Sequence, residues 1–240
     1  MVRIVIILPC YNEEKSILHL HKKLLEIKLN PKFQIETLFI NDCSKDETLS
    51  ILEENKINHL NLPINLGIGG VVQTGLRYAL NEKFDFAVQI DGDGQHPPSE
   101  LEKIILELQK NESDLVIGSR YVGIDSFQST RLRRFGIAYL SFIIYLITRQ
   151  KIKDCTSGYR GFNRKAMALA AKHYPDEFPE PESIIYFTRN QLKIKEIPVF
   201  MKERENGESS IKGWKCIYYM IKVTISILFN YIKFKKNANY

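Results

Sequence analysis

Val2-Arg3-Ile4-Val5-Ile6-Ile7-Leu8 is an apolar run, interrupted only by Arg3, that stops at Pro9. A continuous apolar run of this length predicts a strand that is buried on both faces. Similar runs predict strands at 2–8, 35–40, 57–62, 84–90 and 114–118, and amphipathic stretches predict helices near 13–29, 45–55, 69–81 and 99–111. Capping boxes beginning at Ser44 and Ser99 mark two of the helix starts. Strands that alternate with helices predict an α/β fold, with a mostly parallel sheet and helices on both faces.

Polar clusters follow three of the predicted strands. Tyr11-Asn12-Glu13 comes after the first strand, Asn41-Asp42 after the second, and Asp91-Gly92-Asp93 after the fourth. Parallel α/β sheets bind ligands at the carboxyl ends of their strands. The three clusters are therefore expected to converge on one ligand site.

The acidic turn Asp91-Gly92-Asp93-Gly94-Gln95 has the composition of a metal site. Two carboxylates at i and i+2 can close on a hard cation when flanking glycines permit a tight backbone, and Gln95 offers a further oxygen. Mg²⁺ or Mn²⁺ held in this way offsets charge on a nucleoside diphosphate. Taken alone, the turn leaves an alternative open, since Asp-Gly is also a common turn signal. It lacks the remaining ligand positions of an EF-hand calcium loop.

Charge divides the chain into two unlike halves. Residues 1–119 carry 12 Lys and Arg against 18 Asp and Glu, whereas residues 120–240 carry 22 against 10. The basic half suits phosphates or an anionic membrane face, although uneven solvated surface charge is the alternative.

The four cysteines are scattered, with no CxxC pair, which is typical of a protein of the reducing cytosol without a zinc site or disulfide framework.

Two apolar stretches in the basic half bear on membrane contact. Residues 135–148 are uncharged, but a helix of 14 residues reaches only about 21 Å, short of the roughly 30 Å hydrocarbon core. It is predicted to be a buried or interfacial helix. Residues 213–240 form a second unit, an amphipathic basic helix appended to a domain at 1–212. Its apolar stripe is Ile217, Ile221, Ile225, Leu228 and Ile232, opposite Lys215, Lys222, Ser226, Asn230 and Lys233. This helix either lies on an anionic interface or packs on its own domain, and both can hold at once.

An ordered set of short motifs covers roughly residues 4–213 and resembles one known family. The matching pieces are Leu8-Pro9-Cys10-Tyr11-Asn12-Glu13-Glu14, the segment 41–48, Asn65-Leu66-Gly67, the segment 91–98, Gly118-Ser119-Arg120-Tyr121, Asp154 with Ser157-Gly158-Tyr159-Arg160, and Arg204 with the segment 207–210. Together they resemble the family 2 glycosyltransferases, in particular the branch of dolichol-phosphate mannose synthases and related polyprenyl-phosphate sugar transferases.

The resemblance implies a fold and a set of site residues. The fold is of the GT-A type, a Rossmann-like sheet with one nucleotide site. Pro9, Tyr11, Glu13 and Asp42 would hold the base and ribose. Asp93 would bind the metal with help from Gln95, and Asp91 would lie beside the sugar-nucleotide; the composition of the turn adds Asp91 to the predicted metal ligands Asp93 and Gln95. Arg120 and Arg204 would engage phosphates. The chain departs from the family in having Asn41 where an aspartate is frequent, and in lacking a lysine between Gly67 and Gly69.

The acceptor is predicted from the basic and apolar residues of the second half. A polyprenyl phosphate needs positive charge and an apolar route, and Arg131, Arg133 and Arg134 directly precede the apolar stretch 135–148. Basic charge opposes the dipole at a helix N-terminus unless an anion binds there. The predicted acceptor and phosphate residues are Arg120, Arg131, Arg134, Ser157 and Arg204, and the predicted catalytic residues are Asp91, Asp93, Arg120 and Asp154. Asp154 and Glu182 are alternative bases for a hydroxyl acceptor, or residues with a local structural role.

These observations predict an inverting, metal-dependent transfer of a sugar from a UDP- or GDP-sugar to a polyprenyl phosphate. The protein is expected to lie peripherally on the cytosolic membrane face, with a small membrane protein as a conceivable partner and no nucleic acid. Transfer to a glycan hydroxyl in cell-surface polysaccharide synthesis and a membrane-associated scaffold stay open as alternatives.

Two other enzyme classes are disfavoured by the sequence. A nucleotidyltransferase would carry a glycine-rich basic loop after the first strand, where this chain has Pro9-Cys10-Tyr11-Asn12-Glu13-Glu14. A dinucleotide oxidoreductase would complete the GxGxxG pattern, which Gly67-Ile68-Gly69-Gly70 does not.

Overall fold

The computed structural model describes residues 1–27, 30–92, 96–123, 131–201 and 214–237, with side chains in the two long helices described for 134–148 and 218–229. These residues form seven strands: β1 (Val2–Cys10), β2 (Phe33–Asn41), β3 (His59–Asn61), β4 (Phe86–Gln89), β5 (Leu115–Ser119), β6 (Arg160–Asn163) and β7 (Ile194–Pro198). The helices are α1 (Ile17–Leu25), α2 (Thr48–Glu54), α3 (Gly67–Asn81), α4 (Leu101–Gln109), α5 (Arg131–Thr148), α6 (Arg164–Lys172), α7 (Pro179–Arg189) and α8 (Trp214–Asn237). A 3-10 turn, Pro98–Glu100, precedes α4.

The strands form one sheet in the order β3-β2-β1-β4-β6-β5-β7. Strand β6 runs antiparallel to both of its neighbours, and the other pairings are parallel. Strands β1 and β2 pair along their whole length, from Val2 with Phe33 to Cys10 with Asn41. Their carboxyl ends therefore lie side by side, and the predicted mostly parallel sheet is confirmed.

Alternate residues of β1 enter two separate cores, as the period of two in a strand requires. Val5 and Ile7 pack on one face of the sheet, in a core that also holds Val72 of α3 and Phe187 of α7. Ile4, Ile6 and Leu8 pack on the other face, in the core beneath α1 and α4. The apolar run 2–8 is continuous because both faces of the sheet are covered, and the predicted helices on both faces are confirmed.

Both predicted capping boxes are wrong. The N-cap of α2 is Glu47 and that of α4 is Glu100, and neither makes a side-chain capping bond. The hydroxyl of Ser44 instead accepts a hydrogen bond from the backbone N–H of Asn12 at 3.0 Å. The Ser44 hydroxyl therefore accepts from the loop after β1 and not from the first turn of a helix. A contact between distant segments of this kind cannot be read from a local sequence pattern.

Helix α8 packs against α5 and α7 and buries Val223 and Ile227 in the same core as the sheet. No helix of the described residues is long and apolar enough to cross a membrane. The division of the chain into 1–212 and 213–240 stays a prediction.

Candidate active site

A cleft of about 940 Å³ opens at the carboxyl ends of β1, β2 and β4. Its lining includes all five residues predicted to bind the nucleotide, which are Pro9, Tyr11, Glu13, Asp42 and Asp91. The structure therefore brings these residues together at one cleft, and their role in nucleotide binding stays a prediction.

Reciprocal hydrogen bonds join the loop after β1 to the loop after β2. The backbone N–H of Lys45 donates to the side-chain oxygen of Asn12 at 2.8 Å, and the N–H of Glu13 donates to the Thr48 hydroxyl at 2.8 Å. Asn12 has a left-handed backbone, with φ of 56°, a conformation that asparagine tolerates better than most residues. The two loops therefore form one wall of the cleft, and α1 begins only at Ile17 because the preceding residues belong to this wall.

Asp42 organises a third segment of the wall. It is 3% exposed, and its carboxylate accepts hydrogen bonds from the N–H groups of Leu66 at 2.7 Å and Gly67 at 3.0 Å. Gly67 has φ of 72° and opens α3. The carboxylate thereby fixes the start of a helix that lies along the cleft.

Asp91 follows the carboxyl end of the central strand β4 and lies opposite Gly158. Gln89 of β4 pairs with Arg160 of the antiparallel β6, so the residue two positions after β4's Gln89 meets the residue two positions before Arg160. A Cβ atom on Gly158 would lie 2.7 Å from both carboxylate oxygens of Asp91. Glycine at 158 therefore leaves the space that the Asp91 carboxylate occupies.

His96 holds the backbone of Asp91. Its Nδ1 accepts a hydrogen bond from the Asp91 N–H at 3.0 Å, which places the ring proton of the neutral form on Nε2. The ring is 3% exposed and stacks on Tyr159, with 4.8 Å between ring centroids. Gln89 adds a side-chain contact, since its Nε2 donates to an Asp91 carboxylate oxygen at 3.4 Å. Sequence reasoning assigned no role to Gln89, His96 or Gly158.

Arg120 and Asp154 form a buried ion pair beside the cleft. Nε and Nη2 of Arg120 donate to the two carboxylate oxygens of Asp154 at 2.7 and 2.6 Å, and Asp154 is 0% exposed. Burial alone lowers the pKa of Arg120, but the hydrogen bonds and charge of Asp154, with a contribution from Asp91, raise it above its usual value. Asp154 therefore neutralises an arginine and has both oxygens engaged.

Glu180 contributes a further carboxylate to the cleft, from the first turn of α7. Burial raises the pKa of Glu180; Arg160 opposes that shift and the charge of Asp91 adds to it. Arg160 is fully buried and donates to the carbonyl of Glu180 at 2.8 Å and to the Ser183 hydroxyl at 2.6 Å. It also donates to the Ser157 carbonyl at 2.7 Å, so it joins the Gly158 loop to α7.

Two further predicted residues, Ser157 and Arg134, lie away from the cleft lining. The hydroxyl of Ser157 is buried and donates to the Gly118 carbonyl at 2.6 Å. Arg134 lines a second cavity of about 440 Å³, together with Tyr121 and Lys153. Arg131 is the first residue of α5, and its side chain lies outside the description.

The predicted metal ligands Asp93 and Gln95, and the predicted phosphate ligand Arg204, lie outside the described residues. Among the residues that are described, no three His, Cys, Asp or Glu side chains cluster so as to hold a metal ion. The predicted metal set therefore stays a prediction, with Asp91 as the member that the structure places in the cleft.

The sequence matches Glycosyl transferase family 2 over residues 5–169, and the chain belongs to this family. It is 29% identical to a UDP-N-acetylglucosamine–dolichyl-phosphate N-acetylglucosaminyltransferase of Methanococcus voltae, over 91% of this chain and 94% of that protein. It is 30% identical to a dolichyl-phosphate beta-glucosyltransferase of Trichomonas vaginalis, over 92% of this chain and 72% of that protein. The predicted family is confirmed, and the chain is a glycosyltransferase.

The fold is similar to solved structures of the GT-A type. Glucosyl-3-phosphoglycerate synthase from Mycobacterium tuberculosis, solved with Mn²⁺, uridine diphosphate and glucosyl-3-phosphoglycerate, superposes with a TM-score of 0.70. The match has 16% sequence identity and covers 96% of this chain and 80% of that one. The predicted GT-A fold is confirmed.

Proposed function

We propose that the protein transfers a sugar, with inversion, from a UDP- or GDP-sugar to a polyprenyl phosphate such as dolichyl or undecaprenyl phosphate. The observation that supports a polyprenyl phosphate as the acceptor is the second cavity, which is lined by both cationic and apolar side chains. Arg134 and Lys153 line it together with Ile137, Phe142 and Ile152. Two cations suit a phosphate, and apolar walls suit the first isoprene units. The similarity to dolichyl-phosphate sugar transferases agrees with this acceptor.

The cleft is the proposed donor site. Its volume of about 940 Å³ lies within the range of small-molecule sites, and its lining offers carboxylates, amides and the Tyr11 ring. Carboxylate oxygens are ligands that Mg²⁺ and Mn²⁺ prefer, so Asp91, with Asp93 and Gln95 as predicted partners, fits such an ion. When bound, the ion would offset the negative charge of the leaving nucleoside diphosphate.

The ion pair of Arg120 and Asp154 fits a positioning role better than proton transfer. A phosphate acceptor is already an anion and needs no base. Asp154 holds the Arg120 guanidinium in a fixed orientation through two hydrogen bonds and also accepts the Arg120 backbone N–H at 3.0 Å. Arg120 precedes Tyr121, which lines the second cavity, and its charge interacts with that of Asp91 in the cleft. The pair is therefore linked to both proposed sites.

The proposal is tested with purified protein, Mg²⁺ or Mn²⁺, and a panel of UDP- and GDP-sugars. Labelled sugar is followed into a polyprenyl phosphate and, in parallel, into glycan acceptors. Transfer to the lipid phosphate that is abolished by EDTA is the expected result. Transfer only to glycan hydroxyls would refute the acceptor while leaving the transferase in place, and full activity of Asp93→Ala would refute the metal assignment.

One observation favours transfer to a glycan hydroxyl as a second candidate function. Glu180 lies in the cleft with Asp91, and burial raises the pKa of its carboxyl. A hydroxyl acceptor requires a base that takes its proton, and a carboxylate of raised pKa is suited to that task. Lipid-phosphate transfer gives Glu180 no such role.

The substitution Glu180→Gln separates the two candidates. If Glu180 is a base, the wild-type rate rises with pH through a midpoint above the ordinary glutamate pKa, because only the ionised carboxylate accepts a proton. The variant would then lose this rise and about 100-fold or more of the rate. If the acceptor is a phosphate, Glu180→Gln keeps transfer within a few-fold. The comparison of kcat against pH for both acceptors gives the answer.

The proposed location is the cytosolic face of a membrane, where the protein is attached peripherally. A polyprenyl phosphate is membrane-bound, and the described helices include none that could span the bilayer. A small membrane protein as an additional anchor is part of the same proposal.

A further inference from the structure

Helix α5 exposes an unbroken apolar stripe on its outer face. Phe135, Tyr139, Phe142 and Leu146 are spaced by four, three and four residues, which places them on one side of a helix. They are between 38% and 67% exposed. The inner face of the same helix buries Ile144 and its neighbours in the core. The stripe is thus additional to the face that stabilises the fold.

Helix α8 repeats this arrangement. Its exposed apolar residues are Tyr218, Ile221, Ile225, Leu228 and Phe229, which are 46% to 71% exposed. Val223 and Ile227, on the opposite side, are 0% exposed and enter the core. The helix therefore packs on its own domain through one face and leaves the other apolar face, which contains three members of the predicted stripe, in solvent.

The two stripes adjoin. A shallow groove of about 260 Å³ between the helices is lined by Phe135 and Tyr139 from α5 and by Ile221 and Ile225 from α8. The hydroxyls of Tyr139 and Thr224 are 3.5 Å apart across it. These exposed residues of both helices form one continuous surface, named here the α5–α8 face. Contiguous apolar surfaces of this kind mark protein or membrane contacts.

The charges of the two helices identify the partner. Neither α5 nor α8 contains an Asp or Glu, whereas α5 begins with three arginines within four residues and α8 contains five lysines. Lys222 is exposed, and the sequence spaces Lys215 and Lys233 seven and eleven residues from it. An apolar strip whose own helices carry cations and no anions is complementary to anionic lipid headgroups, although Glu177 of the neighbouring segment pairs with Lys222. A second copy of the chain would bring like charges together.

We propose that the α5–α8 face docks on the surface of an anionic lipid bilayer, with its apolar side chains below the headgroups. The inference deepens the proposed function, because it assigns the surface that brings the enzyme to a lipid acceptor. Phe142 belongs both to this face and to the second cavity. The proposed acceptor site therefore opens beside the docked surface.

Contacts of α8 connect the face to the cleft. Tyr219 packs against Phe178, with 5.3 Å between ring centroids, and Ser226 donates to the Glu182 carboxylate at 2.7 Å. Lys222 pairs with Glu177 at 3.4 Å. Glu180, which lines the cleft, lies between these contact points along the chain. The segment that contributes Glu180 to the cleft is thus anchored on the helix that docks.

Flotation of the full chain with vesicles tests the proposal without donor or acceptor. Vesicles of phosphatidylcholine are compared with vesicles that also contain phosphatidylglycerol, at low and high salt. Binding to the mixed vesicles, weakened by salt, is expected. The double variant Phe135→Gln/Ile225→Gln should bind at least about tenfold more weakly. The control Leu106→Gln, at a residue on α4 that is 45% exposed, should bind as the wild type does.

Equal binding of the double variant and the wild type would overturn the proposal, as would failure of the wild type to bind. A wild-type dimer that the double variant converts to a monomer, without vesicle binding, would assign the face to self-association instead. A water-soluble, short-chain polyprenyl phosphate separates this outcome from the proposed function. The double variant should still transfer sugar to this soluble acceptor. If the wild type binds vesicles but transfers no sugar to any polyprenyl phosphate, the docking proposal stands and the proposed acceptor is wrong.

Discussion

Gly158 is a position where one added methyl group would collide with a carboxylate of the proposed donor site. Its Cβ would lie 2.7 Å from both Asp91 oxygens, so Gly158→Ala must displace the carboxylate. Because misplacement of a reacting group by about 1 Å costs on the order of 100-fold, we expect kcat/KM for the nucleotide-sugar to fall by about that factor. Steady-state kinetics of the purified variant measure it.

Gly161→Ala is the matched control, three residues along the same chain segment. Its Cβ would lie 2.4 Å from Ile104 in the core, so it should lower the free energy of unfolding by about 1–3 kcal/mol and spare the kinetics of the folded enzyme. Wild-type kcat/KM in Gly158→Ala would show that Asp91 does not require this space.

Asp154 gives a second prediction at the residue scale. Asp154→Asn leaves the Arg120 guanidinium buried without its counter-charge, which should lower the free energy of unfolding by about 3–5 kcal/mol. Because replacing both members of a buried pair with apolar groups removes that penalty, Arg120→Met/Asp154→Leu should recover most of the loss. Urea denaturation measures both variants. An Asp154→Asn protein of normal stability that has lost only glycan transfer would instead identify Asp154 as a base.

At the scale of elements, the joined loops of β1 and β2 form the wall of the donor cleft. Thr48→Val removes the acceptor of the Glu13 N–H and leaves that donor without its partner, at a cost of about 1–3 kcal/mol. The wall should loosen, and KM for the nucleotide-sugar should rise several-fold with a smaller change in kcat.

Thr74→Val provides the comparison, since the Thr74 hydroxyl donates only within α3, to the Gly70 carbonyl at 2.8 Å. It should leave KM unchanged. A KM in Thr48→Val equal to that of Thr74→Val would show that the cleft does not depend on the joined loops.

The elements also show what the sequence could and could not predict. The strand at 2–8 was predictable because both sides of β1 are buried. Burial of both sides requires a continuous run of apolar residues, which can be read from the sequence of the strand itself. Helix α1 begins at Ile17 rather than 13, because Glu13 and its neighbours bind the loop after β2. Gly158 and Glu180 were missed because each acquires its role through contact with a distant segment. Asp91 and Gly158 meet only because β6 runs antiparallel to β4.

At the scale of the whole molecule, α8 belongs to the main core through one face. Ile227 is fully buried, so Ile227→Ala should lower the free energy of unfolding of the entire chain by about 2–5 kcal/mol. Ile225, which is 49% exposed on the other face, should change stability by less than about 0.5 kcal/mol when replaced by alanine. Chemical denaturation followed by far-UV circular dichroism measures both. Equal effects would favour the division at residue 212, with α8 as an independent appendage.

The α5–α8 face changes the dimensionality of the proposed reaction. An enzyme that lies on a bilayer meets its lipid by lateral diffusion within a sheet, while its sugar-nucleotide arrives from the bulk. The two substrates are then measured on different scales: the donor by its concentration in solution and the acceptor by its mole fraction in the membrane. Adding inert lipid at constant total acceptor should therefore slow turnover by surface dilution, although no molecule of acceptor has been removed.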